Sequence, residues 1–139
     1  MLALFSLAGC ATVPAPPRPK PRRAQRVAQV RDLVRRAAQR HQVPEDLILG
    51  LILVESGFQP DARSPVGARG LMQLMPTTAR SLARRLDWDD YEITDPGFNI
   101  EAGTYYLAYL LQRFQSEDLA LAAYNGGPTR MARLVAQGR

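Results

Sequence analysis

Two kinds of side chain are scarce in this 139-residue chain, and their scarcity removes whole classes of chemistry. Cys10 is the single cysteine, so no disulfide can form within the chain. His41 is the single histidine, and there is no Cys/His cluster. A metal site built on those ligands is therefore not expected, and neither is a cofactor. Apolar runs are short: residues 2–8 are far from the roughly 20 needed to cross a bilayer. No alternating pattern announces a β-strand, and no segment repeats.

What the chain does have is arginine. The formal net charge is +5, and much of the positive charge falls early, at Arg18, Arg22, Arg23, Arg26, Arg31, Arg35, Arg36 and Arg40. Such a surface favours anionic partners, among them nucleic acid, lipid headgroups and the carboxylates of cell-wall peptides. A solvated helix face accounts for the same charge. His41 ends the first helical stretch, where a cation suits the helix dipole, so it reads as a cap or a surface position and not as a catalytic group.

Three parts follow from composition. Residues 1–10 read as an export signal, with Leu7-Ala8-Gly9-Cys10 closing a short apolar run. Residues 11–23 are proline-rich, which blocks helix and sheet and gives a semi-rigid tether. Residues 24–139 form one domain with all-α periodicity. Helices are predicted over 24–42, 45–55, from Pro76 to about Leu86, from Asp95-Pro96 to Phe114, from Ser116 through Ala123, and over 129–136. The expected architecture is a compact bundle of five to seven helices around the second one, whose 47–54 core is apolar almost all round.

Glu55 is the unusual residue. It follows Leu51-Ile52-Leu53-Val54 at the C-terminal end of that apolar helix. Burial and the helix dipole both favour its neutral form there, as a general acid for glycosidic cleavage requires. The same pattern fits a surface glutamate on the helix's one polar edge. Gln73, inside Leu71-Met72-Gln73-Leu74-Met75, can bond a sugar or neighbouring backbone. Tyr124-Asn125 suits a sugar, through an apolar ring face and an amide, and equally suits a helix end before Gly126-Gly127-Pro128. Tyr105, Tyr106 and Tyr109 read as packing residues.

Taken together, four blocks resemble the catalytic domain of soluble-type lytic transglycosylases, the goose-lysozyme-like glycoside hydrolases. They are Glu55-Ser56; Ser64-Pro65-Val66-Gly67-Ala68 with Gly70-Leu71-Met72-Gln73-Leu74-Met75-Pro76; Asp95-Pro96 with Asn99-Ile100 and Gly103-Thr104-Tyr105-Tyr106-Leu107; and Ala122-Ala123-Tyr124-Asn125-Gly126-Gly127-Pro128. They stand in the family's order over about residues 35–136, with Gly126 where the family usually has Ala. The resemblance implies a lysozyme-like helical fold with a substrate groove. It implies cleavage of peptidoglycan between N-acetylmuramic acid and N-acetylglucosamine, leaving 1,6-anhydro ends. Glu55 would be acid and then base, Ser64 would hold an acetamido group, and Gln73 and Asn125 would bond the glycan. Met75 would line the groove and Tyr124 would sit near Glu55. A hydrolytic muramidase and a non-catalytic cell-wall binding or assembly protein are the competing expectations.

The resemblance of residues 7–10 to a lipobox implies lipidation of Cys10 and a periplasmic protein anchored to the outer membrane. A secretion or pilus assembly apparatus is an expected partner, and nucleic acid is not. Many family members carry a further block with Glu-Thr-Arg and Tyr-Val after the fourth, so a C-terminally shortened domain is expected here.

Overall fold

The computed structural model describes residues 23–138. Cys10, the export signal and residues 11–22 of the tether lie outside them. Six helices follow one another: α1 (Arg23–His41), α2 (Glu45–Ser56), α3 (Pro76–Arg85), α4 (Pro96–Phe114), α5 (Glu117–Gly126) and α6 (Pro128–Ala136). Among the described residues there is no strand, only two isolated bridges, Arg63 with Arg69 and Arg69 with Leu74, that fold the loop between α2 and α3. No helix among them is long and apolar enough to cross a membrane.

The helix boundaries obey local chemistry. Asp95 caps α4 by accepting a hydrogen bond from the Phe98 N–H at 2.9 Å, and Pro96 supplies the pre-set first position. Ser116 caps α5 by accepting from the Leu119 N–H. Pro76 opens α3 and Pro128 opens α6. Gly57 ends α2 in the left-handed conformation, its N–H donating to the Leu53 carbonyl.

The hub is α4, not α2. Nine residues of α4 are buried, from Phe98 to Leu110, and the helix packs on α1, α3 and α5. Val30, Val34 and Ala37 of α1 and Ile48, Leu51 and Ile52 of α2 join Ile100 and Leu107 in one core. Phe98 anchors a second core with Leu82 and Ile93. The expectation that α2 is buried on most sides fails at its outer edge: Val54 is 79% exposed and Leu53 41%. One face of α2 is turned to solvent, and it is the face just before Glu55.

Helix α4 can be central because its inner face is small or internally satisfied. Gly103 packs so closely on Met72 that an added Cβ would lie 2.5 Å from Sδ. Glu101 is buried, but it accepts from His41 Nε2 at 2.8 Å and pairs with Arg40 Nη1 at 2.7 Å. His41 is therefore not a surface cap. It lies at the helix end, mostly buried, tied to Glu101 and set edge-on against the Tyr105 ring at 5.5 Å. The last turn of α1 is thereby pinned to the middle of α4 by charge-assisted bonds.

Candidate active site

The site begins where α2 stops. After Glu55 and Ser56, both Gly57 and Phe58 take positive φ, 57° and 64°. The chain reverses at once, and the Phe58 ring returns to the core. Ser56 is buried and donates back to the Ile52 carbonyl at 3.1 Å. Glu55 is thus left in the last helical turn, half-buried, at the mouth of the helix. Among the described residues it makes no hydrogen bond and no ion pair. Burial raises its pKa, with no neighbouring charge acting on it. The helix dipole works in the same direction at that end. Glu55 is therefore neither fully buried nor freely exposed, and its carboxyl is partly desolvated.

A stability effect follows from that shift. The folded pKa lies above the ordinary value of 4.5, so the folded state holds the Glu55 proton more tightly than the unfolded chain does. The group's contribution is fully present below pH 4.5 and is lost as pH rises through the folded pKa. Glu55→Gln removes this loss. The melting temperature of the variant minus that of wild type should be larger at pH 7 than at pH 4, in matched thermal melts. An equal difference at both values would contradict the desolvation argument.

The loop after α2 carries the next residues. Ser64 Oγ accepts the Ala68 N–H at 2.9 Å, so its own hydrogen is left to donate. Gln73 sits at φ 48°, and its Nε2 donates to the carbonyls of Ala62 at 3.2 Å and Gly70 at 2.9 Å. The bonds hold a left-handed non-glycine residue in place. Its amide therefore satisfies backbone, and its side-chain oxygen has no bond to another described residue. Met75, 40% exposed, precedes α3.

Two residues clamp this loop at Met72. Asn99, fully buried on α4, accepts the Met72 N–H at 2.7 Å and donates to the carbonyls of Arg69 at 3.1 Å and Ile93 at 2.7 Å. Gly70 must be glycine here, because a Cβ would lie 2.1 Å from Asn99 Nδ2 and its φ is 84°. From α5, the Tyr124 hydroxyl donates to the Met72 carbonyl at 2.9 Å. The pKa of that hydroxyl is raised well above its ordinary value, first by burial and then by the Glu55 charge. Tyr124 thus holds the loop through its hydroxyl and stands within electrostatic reach of Glu55. Asn125 is exposed at the end of α5, beside Ala122, Arg130 and Met131. Asp61, the nearest other carboxylate in sequence, lines a different cleft with Arg26, Val30 and Phe58. Among the described residues, no group of His, Cys, Asp and Glu could hold a metal ion.

Asn99 and Glu101 are the residues that sequence reasoning undervalued. Asn99 appeared only as part of a motif, and Glu101 not at all. Their partners lie 27 and 60 positions away, so no local period marks them.

The four ordered blocks thus supply an acid at a helix end, a glutamine loop and a tyrosine bonded to that loop. The family described as Transglycosylase SLT domain matches residues 32–139. The chain belongs to that family. It is 37% identical over 105 residues to the soluble lytic murein transglycosylase of Escherichia coli K12, a match that takes in 72% of this chain and 16% of that protein. It is 37% identical over 121 residues to membrane-bound lytic murein transglycosylase C of Edwardsiella ictaluri, covering 78% of this chain and 34% of that one. The 70 kDa soluble lytic transglycosylase of E. coli superposes with TM-score 0.69 at 35% identity, over 76% of this chain and 18% of that chain. An inactive mutant of lytic transglycosylase Slt from Pseudomonas aeruginosa, carrying a glutamate-to-glutamine change, gives 0.67 at 36%, over 73% and 17%. This SLT-family chain therefore shares the helical fold of those enzymes and spans about a sixth of the length of the E. coli protein.

Proposed function

We propose that this chain is a peptidoglycan lytic transglycosylase with Glu55 as its single acid and base. The observation that carries the reading is Glu55 itself: a half-buried carboxyl, desolvated, with no second carboxylate acting on it. Most glycosidases use two carboxylates flanking the bond. A single one suits attack by a hydroxyl of the substrate. Glu55 gives its proton to the oxygen between N-acetylmuramic acid and N-acetylglucosamine, and the bond from that oxygen to the anomeric carbon breaks. The Glu55 carboxylate then takes the proton of the muramic 6-hydroxyl as that oxygen bonds the anomeric carbon. The product is a 1,6-anhydro ring, and Glu55 ends protonated, ready for another cycle.

The remaining roles belong to the same proposal. Ser64 has a free hydroxyl hydrogen for the acetamido carbonyl, Gln73 a free amide oxygen for a sugar hydroxyl, and Asn125 an exposed amide. Met75 offers exposed apolar surface to the glycan. Tyr124 flanks the acid. Relatives named as lytic murein transglycosylases support the substrate. That several are named membrane-bound supports an envelope location, with Cys10 as lipid anchor, residues 11–23 as tether and residues 24–139 as the domain that reaches the wall.

Purified peptidoglycan incubated with the protein, followed by mass analysis of the fragments, tests the reaction. Anhydro ends, lighter than reducing ends by one water, are expected. Reducing ends would make the protein a hydrolase on the same fold, and no fragments at all would remove the enzymatic reading.

A further inference from the structure

The loop between α2 and α3 holds two arginines in an arrangement that the proposed reaction does not use. Residues 62–70 form a short hairpin. The Ser64 N–H donates to the Ala68 carbonyl and the Gly70 N–H to the Ala62 carbonyl, both at 3.0 Å. Between these bonds Arg63 and Arg69 stand directly opposite one another in an antiparallel bridge. A pair flanked in this way is the non-hydrogen-bonded kind. Its Cα atoms lie only about 4.5 Å apart, and its side chains share one face. By the alternation of the pleat, Ser64 and the buried Ala68 take the other face. The arginine pair therefore lies on the opposite face of the hairpin from the hydroxyl proposed to meet the glycan.

Like charges directly opposite one another repel. Among the described residues neither guanidinium makes a hydrogen bond or an ion pair that would offset this. The nearest acid in sequence, Asp61, makes no ion pair either and lines the cleft against α1. The backbone holds the two together. The Arg69 N–H donates to the Leu74 carbonyl at 3.0 Å, and the Arg69 carbonyl accepts from the Leu74 N–H at 2.9 Å and from Asn99 Nδ2 at 3.1 Å. Asn99 is itself fully buried. Arg63 is exposed and Arg69 partly so. A fixed backbone thus presents two forked donors side by side. A neutral sugar neutralises neither charge, and a single carboxylate neutralises one. A phosphate monoester carries about two negative charges at neutral pH and three acceptor oxygens, which match both forks.

We infer that Arg63 and Arg69 form a binding site for a phosphate monoester, carried either by a lipid headgroup or by a soluble molecule. Binding relieves the repulsion between the two guanidiniums and needs no step of the glycan reaction.

Two arms test the site and separate its sources. The full chain is titrated with glycerol 3-phosphate and followed by amide resonances. In parallel it is sedimented with vesicles of phosphatidic acid in phosphatidylcholine, and with phosphatidylcholine alone. Saturable shifts at Arg63, Ser64 and Arg69 are expected, with binding at least about tenfold weaker in Arg63→Ala and largely kept in Arg63→Lys. Binding of the soluble ester without the phosphatidic acid vesicles assigns a soluble ligand; sedimentation with phosphatidic acid that Arg63→Ala abolishes assigns a headgroup. Binding in neither arm, or binding that Arg63→Ala leaves unchanged, overturns the inference. So do equal shifts from glutarate, a dicarboxylate of the same charge. Arg63→Glu replaces the repulsion with an attraction. It should raise the melting temperature at low salt by about 2–4 °C and abolish binding. A melting temperature that does not rise removes the electrostatic premise and the site with it. None of these readouts uses peptidoglycan, so they stand apart from the outcome of the cleavage assay.

Discussion

Glu55→Gln should fold normally and release fragments from peptidoglycan at least about a thousandfold more slowly than wild type. General acid–base catalysis is worth roughly 10²–10⁴-fold per group, and in the proposed mechanism one group serves both the protonation and the proton removal. Glutamine matches glutamate in size but offers neither a transferable proton nor a base. Folding should survive because Glu55 makes no hydrogen bond or ion pair among the described residues, and because the change removes a desolvated acid. Initial rates of fragment release, with circular dichroism as the control on folding, check this. A variant retaining a tenth of wild-type activity would move the acid elsewhere.

Asn99→Ala should have the largest effect on stability. The side chain is fully buried and makes three hydrogen bonds, to the Met72 N–H and to the carbonyls of Arg69 and Ile93. Its loss orphans the Met72 N–H and the Ile93 carbonyl, each costing about 1–3 kcal/mol, while the Arg69 carbonyl keeps the Leu74 N–H. A total of about 2–6 kcal/mol is a large part of what a domain of this size has in reserve. The melting temperature should fall by more than about 10 °C. Asp95→Ala, four residues earlier, removes only an N-cap and should cost about 1 kcal/mol. Thermal melts of the two variants side by side check the contrast; equal effects would mean that the Asn99 bonds are replaced by water.

How much of this was legible in the sequence depended on the range of the interaction. Features set by near neighbours were readable. Asp95-Pro96 starts α4, Pro76 starts α3, Gly57 stops α2, and Phe114 ends α4 where expected. The acid at the end of an apolar helix was readable too, but not whether its surroundings desolvate it. That depends on how α5 and the loop after α2 lie around it.

Misplacing the hub on α2 has a specific cause. Apolar letters suggest burial, and α2 is full of them, yet Leu53 and Val54 face outward. Meanwhile α4 buries Asn99, Glu101, Gly103 and Thr104, which look like surface residues until their partners are known. His41 was misjudged for the same reason, since Glu101 lies 60 residues away. Gln73 remained open because one amide can serve backbone through its nitrogen and leave its oxygen free for a ligand.

The bond from the Tyr124 hydroxyl to the Met72 carbonyl spans 52 residues. In terms of cooperativity, it joins the last two described helices to the proposed site. Helix α6 has no buried residue, and the C-terminal pair packs through α5. A segment with so little burial can open locally without global unfolding. Opening that carried α5 with it would release the Met72 carbonyl and expose Glu55 to water in one event, while the Asn99 bonds still hold the loop. The same contact that completes the site also makes its integrity a readout of whether the last two helices are docked.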